Sequence, residues 1–208
     1  MTQTRIVTIA SAEGSLEGRL DVGARRDGCA LLLCHPHPQY GGSMDDDVLA
    51  TVADALAPRA ATLLRFNFRG VGASSGRYDN GRGEIDDVEA AARHLAALDP
   101  TRPLWLAGYS FGSWMALSAL RSLTPERVLL IAPPVGALDY PPRPRLAARV
   151  DAIAGDADSF VDRDALRAWS RDAAAQVVLH EIEGADHFFS GHYAALARTV
   201  ASMADDDR

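Results

Sequence analysis

The chain has 208 residues, a formal net charge of −7, 48% hydrophobic residues and 24% charged ones. That length suffices for one domain with its own core and no disulfide or metal staple. The acidic balance argues against a nucleic-acid partner, which would select a basic face. No apolar run approaches the ~20 residues of a membrane helix, and the opening MTQTRIVTIA lacks the charged and apolar regions of a signal peptide. We expect a cytoplasmic protein without a membrane partner. Composition leaves the oligomeric state open.

In chain order, strand-like runs at Thr4–Ala10 and Leu16–Val22 have no helix between them and predict a hairpin. The run Ala30–Cys34 reads as a strand buried on both faces. Cys29 and Cys34, five apart in it, face opposite ways and stay reduced. A proline-rich loop, HPHPQYGGS, leads to a helix at Asp45–Ala57. Its aspartates Asp45 to Asp47 are read as helix caps and dipole partners. After a strand at Thr62–Asn67 comes GVGASSG, which lacks the third glycine and the immediate helix of a dinucleotide loop. Arg69 and Asp79 are expected to brace this turn. A helix at Glu84–Ala97 opens with Glu84, Asp86 and Asp87, again read as capping acids.

A strand at Pro103–Ala107 and a helix at Phe111–Leu120 flank Gly108-Tyr109-Ser110-Phe111-Gly112, with Trp114 and Met115 assigned to core packing. A strand at Arg127–Ile131 runs into the proline-rich loop Ala132–Pro144, which we place near the site. Then come strand Val150–Ala154, helix Asp162–Asp172, strand Val177–Glu181 and helix Gly191–Ala204. From Ala30 onward strand and helix alternate. That pattern predicts an α/β fold over residues 1–208, a single domain with a mostly parallel sheet of about eight strands and helices on both faces.

The G-x-S-x-G at the strand-to-helix junction predicts a tight, strained turn that lifts the Ser110 hydroxyl above the sheet edge, at a helix N-terminus. A serine needs a base, and the base an orienting acid. Of the histidines that follow, His187 lies in the loop GADHFF at the carboxyl edge. His180 lies within a strand and is read as structural, and His192 as solvated at the last helix start. For the acid, the loop GDADS offers Asp156 and Asp158. We favour Asp158, because the turn finishes before its carboxylate points back, while Asp156 suits backbone bracing. Asp186 is too close to His187 to orient its ring and is read as a loop acceptor. The backbone N–H of Phe111 and that of His37, between two prolines that lack the donor, are expected to form the oxyanion hole. Tyr40, Phe188 and Phe189 flank these loops, and Tyr40 and Phe188 are assigned to the substrate pocket. His35 and His37 form a His-x-His pair with no third ligand at a suitable spacing, so neither metal nor cofactor is expected.

The segments HPHPQYGGSM, FNFRGVGASSG, GYSFGSWM, AGDADSF and GADHFF occur in the order seen in α/β-hydrolases. Together they resemble the small, lidless bacterial branch related to dienelactone-hydrolase-like and esterase-like proteins. The resemblance implies an α/β-hydrolase fold without a cap domain, with Ser110 as nucleophile, Asp158 as acid, His187 as base, and His37 and Phe111 as backbone donors. Dienelactone hydrolases proper use a cysteine where this chain has Ser110, so their substrate is not carried over. The implied activity is hydrolysis of small-molecule carboxylic esters or thioesters. With only a short segment where relatives insert a lid, we expect an open site with little apolar surface, suited to small or exposed acyl groups. A non-catalytic binding protein of the same fold, or a peptidase, is the alternative.

Overall fold

The computed structural model describes residues 3–23, 25–138, 149–171 and 177–205. Eight strands form one sheet: β1 (Gln3–Ser11), β2 (Gly14–Val22), β3 (Cys29–Cys34), β4 (Ala60–Phe66), β5 (Leu104–Tyr109), β6 (Arg127–Ile131), β7 (Arg149–Gly155) and β8 (Val177–Ile182). Their order in the sheet is β1-β2-β4-β3-β5-β6-β7-β8. β1 and β2 form an antiparallel hairpin closed at Ser11 and Gly14, and β2 also runs antiparallel to β4. All pairings from β4 to β8 are parallel. Parallel strands need crossovers, and these carry α1 (Asp47–Leu56), α2 (Gly83–Leu98), α3 (Phe111–Ser118) and α4 (Arg163–Arg171); α5 (Tyr193–Asp205) closes the chain. The residues Asp139–Pro144 of the expected loop, and Asp172 of the expected helix, lie outside the described residues. The connection from β6 to β7 is too short to hold a cap domain.

The sheet divides two apolar layers. On one face Leu32, Cys34, Leu64, Leu106 and Leu130 meet Val88, Ala91 and Leu95 of α2 and Met115 and Ala116 of α3. On the other, Leu31, Leu33, Ala107, Leu129 and Ile131 meet Val48, Leu49 and Val52 of α1 and Leu196, Val200 and Met203 of α5. The alternation follows the two-residue period of a strand. It also separates Cys29 from Cys34, one in each layer, both buried. Burial pushes the Cys34 thiol well up, so it stays protonated and inert. No helix among the described residues is long and apolar enough to cross a membrane.

Ions and glycines hold the loop after β4. Arg69 pairs bidentately with Asp87 of α2, both buried, at 2.8 Å from Nη2 to Oδ1 and 3.0 Å from Nε to Oδ2. Arg69 thus braces the turn through Asp87, while the Asp79 carboxylate accepts from Gly83 N–H at 3.2 Å. Of the acids read as caps and dipole partners of α2, Glu84 and Asp86 do lie in its first turn, but Glu84 and Asp87 bond to the preceding loop instead of capping the helix. Glu84 is buried and accepts from the N–H groups of Asp79 and Gly81, at 2.7 and 2.8 Å. Its carboxylate folds the preceding turn. Asp46 does cap α1, accepting from Leu49 N–H at 3.1 Å. The glycine loop GVGASSG holds an internal carboxylate: Glu17 of β2 accepts from Ala73 N–H at 2.9 Å and from the Asn67 amide at 2.8 Å.

Two outcomes are expected. Asp87→Ala strands a buried guanidinium and lowers unfolding free energy by about 3–5 kcal/mol in urea denaturation. The second concerns His35, at the end of β3. Its Nδ1–H donates to Pro36 C=O at 2.6 Å and its Nε2 accepts from Phe68 N–H at 3.0 Å. Burial lowers its pKa from 6.5 to about 4, against the pull of the Pro36 carbonyl. The folded chain thus keeps His35 neutral where the unfolded chain takes up a proton. Stability is full above pH 6.5 and declines as pH falls toward 4, by on the order of 3 kcal/mol at the lower limit. Urea midpoints at pH 7.5 and pH 5 check this, and His35→Gln loses less across that interval.

Candidate active site

The parallel strands β3, β5, β7 and β8 all point their carboxyl ends to one edge. The loops that leave that edge are the ones carrying His35–Gly42, Ser110, Asp158 and His187. The first link in the site is the turn from β5 into α3. Ser110 sits at its apex with φ 52° and ψ −115°, outside the regions that L-residues favour. Two glycines make room for it. A Cβ on Gly108 would sit on the Gly112 carbonyl, and a Cβ on Gly112 would sit on the Cys34 carbonyl. The strained turn is fastened by Ser110 N–H to Ile131 C=O at 2.8 Å, and by Ser113 Oγ donating to Ser110 C=O at 2.6 Å.

The Ser110 hydroxyl lies 2.9 Å from His187 Nε2, and His187 Nδ1 lies 2.7 Å from Asp158 Oδ2. With Asp158 a carboxylate, Nδ1 carries the proton and Nε2 is left to accept from Ser110. The Asp158 and His187 side chains are 2% and 8% exposed, so this pair is nearly dry. The other Asp158 oxygen accepts from Phe160 N–H at 2.8 Å. Asp156 reaches none of this. It accepts from Gly184 N–H at 2.6 Å and faces Arg163 at 3.6 Å. Asp186 binds its own loop, accepting from Phe188 N–H and Ser190 N–H at 3.1 and 2.9 Å.

The acid loop and the histidine loop are stitched to each other. Gly155 packs on the Ala185 carbonyl with no space for a Cβ, and Ala157 N–H donates to the same carbonyl at 3.1 Å. Tyr109, buried beside Ser110, donates its hydroxyl to His187 C=O at 3.0 Å. His180 stays on β8, 3.4 Å from the buried Asp151, and His192 is half-exposed and donates to Ser190 C=O. Neither approaches Ser110.

Around Ser110 lies an open cleft of about 480 Å³. Its lining includes His37, Tyr40, Phe111, Phe160, His187 and Phe188. Here the expectation of little apolar surface is corrected: the walls are mainly aromatic and aliphatic, with Tyr109, Leu138 and Pro134 among them. Phe189 does not take part. It is fully buried, at φ 53°, in the layer under α1 and α5. The His37 ring is fixed in the wall, its Nδ1 accepting from Gln39 N–H at 3.2 Å and its Nε2 3.1 Å from Tyr78 Oη. With the nitrogens of His35 and His37 engaged this way, no group of three metal-ligating side chains occurs among the described residues. Phe160, Tyr109, Leu138 and Asp46 line the cleft, although the sequence assigned none of them to the pocket. For Phe160 a signal existed, since it lies two residues beyond Asp158.

Comparison with known proteins gives the same architecture. Residues 28–200 match the family model of the alpha/beta hydrolase domain. An uncharacterized protein of Rickettsia prowazekii is 34% identical over 187 residues, covering 85% of this chain and 79% of that protein. A lidless serine hydrolase from Xanthomonas campestris superposes with a TM-score of 0.88 at 35% identity, over 96% of this chain and 93% of that one. A serine hydrolase homologue from Coxiella burnetii gives a TM-score of 0.90 at 31% identity, over 96% of each chain. With the parallel sheet, the glycine-flanked serine turn and this match over most of its length, the chain belongs to the α/β-hydrolase family.

Proposed function

We propose that the protein hydrolyses carboxylic esters or thioesters through an acyl–Ser110 intermediate, with His187 as base and Asp158 as its orienting acid. The observation that carries this reading is the continuous chain of contacts from Ser110 Oγ through His187 to Asp158, at 2.9 and 2.7 Å, opening into an accessible cleft. A serine hydroxyl sits in many loops, but few hold it on an imidazole whose other nitrogen is committed to a buried carboxylate.

In the proposed sequence Ser110 Oγ attacks the ester carbon while its proton passes to His187 Nε2. The carbonyl electron pair moves onto oxygen, and the N–H groups of Phe111 and His37 receive that oxyanion. Asp158 stabilises the imidazolium without taking its proton. Collapse expels the alcohol or thiol, which carries away the His187 proton. Water, deprotonated by the same imidazole, then attacks the acyl–serine and releases the acid. Strain at Ser110 and the fixed proline-flanked loop at His37 mean that donors and nucleophile need little rearrangement. The open cleft favours acyl groups that are small or partly exposed.

Ser110→Ala is expected to lower turnover of a short p-nitrophenyl ester at least about 1,000-fold, with folding intact by circular dichroism. Unchanged turnover would reject the assignment. Asp158→Asn keeps the shape but favours the wrong His187 tautomer, and is expected to cost about 10³–10⁴ in kcat with little change in KM, whereas Asp156→Asn leaves kcat within a few-fold. A fluorophosphonate that fails to label Ser110 in the folded protein would point instead to a ligand-binding role.

A further inference from the structure

The cleft beside Ser110 carries two features that ester hydrolysis as such does not require. The first is an aromatic rim held open to solvent. Tyr40, Phe160 and Phe188 are 86%, 56% and 53% exposed, far more than large apolar rings usually are in a folded chain. They stand on both sides of the serine. Tyr40 packs on His37, with centroids 4.6 Å apart. Phe160 and Phe188 pack on His187, at 4.9 and 5.4 Å, and meet each other edge to face at 5.8 Å.

The second feature is a charge. Among the described residues that line the cleft there is no arginine, and Asp46 is the one carboxylate. Its carboxylate caps α1, accepting from the backbone N–H groups of Leu49 and Val48, and no arginine faces it among the ion pairs of the described residues. Burial is the main influence on its carboxyl, pushing the pKa upward, as it does for the neighbouring Tyr109 phenol, which Asp46 then raises further. The carboxylate is thus half-buried at the cleft wall and partly desolvated. A neutral substrate covering it would strip more of its hydration, at a cost, and an anionic one would add repulsion. A cation would offset both. Aromatic faces attract the same class of group, because their quadrupole presents negative charge to it.

We propose that the cleft selects substrates bearing an alkylammonium group, with Asp46 as the charge selector and Tyr40, Phe160 and Phe188 as the aromatic walls. The proposal rests on the ester-hydrolase reading for its reaction but not for its binding. Asp46 is a specificity determinant here, since nothing in the bond-breaking sequence calls on it.

The test uses binding alone, so that it survives a failure of the hydrolase reading. Choline and its uncharged isostere 3,3-dimethylbutan-1-ol are titrated into the full chain by ligand-observed NMR, with a short p-nitrophenyl ester assay for competitive inhibition run in parallel. Choline is expected to bind about tenfold more tightly than the isostere. In Asp46→Asn that ratio is expected to fall to about one, while stability holds, because asparagine caps a helix as well as aspartate does. Equal binding of the two probes to the wild type would overturn the proposal. So would an unchanged ratio in a folded Asp46→Asn. A choline preference in a protein that turns over no ester would leave the charge selection standing and remove the hydrolase reading instead.

Discussion

The backbone contact between Gly112 and the carbonyls of Cys34 and His35 is the constraint on which this site depends. It brings the start of α3 against the end of β3, closer than any side chain would permit. Because the helix cannot retreat, the turn before it has to be sharp, and Ser110 is forced to a positive φ. The strain is held by the parallel sheet on either side, where β5 pairs β3 from Leu104 to Gly108 and β6 from Trp105 to Tyr109. The same contact sets the proline loop after β3 beside the serine. Ser110 and the proposed oxyanion donors are therefore positioned by one packing event rather than by two independent loops.

A second close approach does the equivalent work for His187. Gly155 against Ala185 binds the loop after β7 to the loop after β8, which holds the Asp158 carboxylate beside the His187 imidazole. There the two aspartates divide the labour by direction. Asp156 points along the sheet edge to Gly184 and Arg163, and Asp158 points across it to His187. Tyr109 adds a tie from the serine strand to the histidine loop. A Ser–His distance short enough for proton transfer is the product of these restraints taken together.

The buried charges serve the scaffold under the site. Asp87 with Arg69, and Glu84 with two backbone donors, each place an ion where a loop backbone would otherwise leave N–H groups unpaired. They replace regular secondary structure in the long passage from β4 to α2, and leave Asp46 as the charge that faces the cleft.

The sequence by itself determined the order of elements. Hydrophobic runs of strand length alternate with amphipathic helices, and that periodicity is a local property that needs no tertiary information. It also determined the chemistry available at the carboxyl edge, because glycines flanking Ser110, prolines flanking His37 and loops bearing aspartate and histidine are all local signals. What it left undecided were partners distant in the chain. Nothing local to Arg69 gave a sign of Asp87, since a loop and the first turn of α2 lie between them and only folding aligns their side chains. Phe188 and Phe189 are neighbours with the same chemistry, yet one lines the cleft and the other fills the core, because a positive φ at Phe189 turns consecutive side chains in opposite directions. Asp46 read as a helix cap, which it is. Its second face, toward the serine, exists only because the crossovers stack α1 beside β5. Local patterns fix which groups are present and which elements carry them. Which of those groups meet is set by the packing of elements far apart in the chain, and that was decided by the tertiary structure alone.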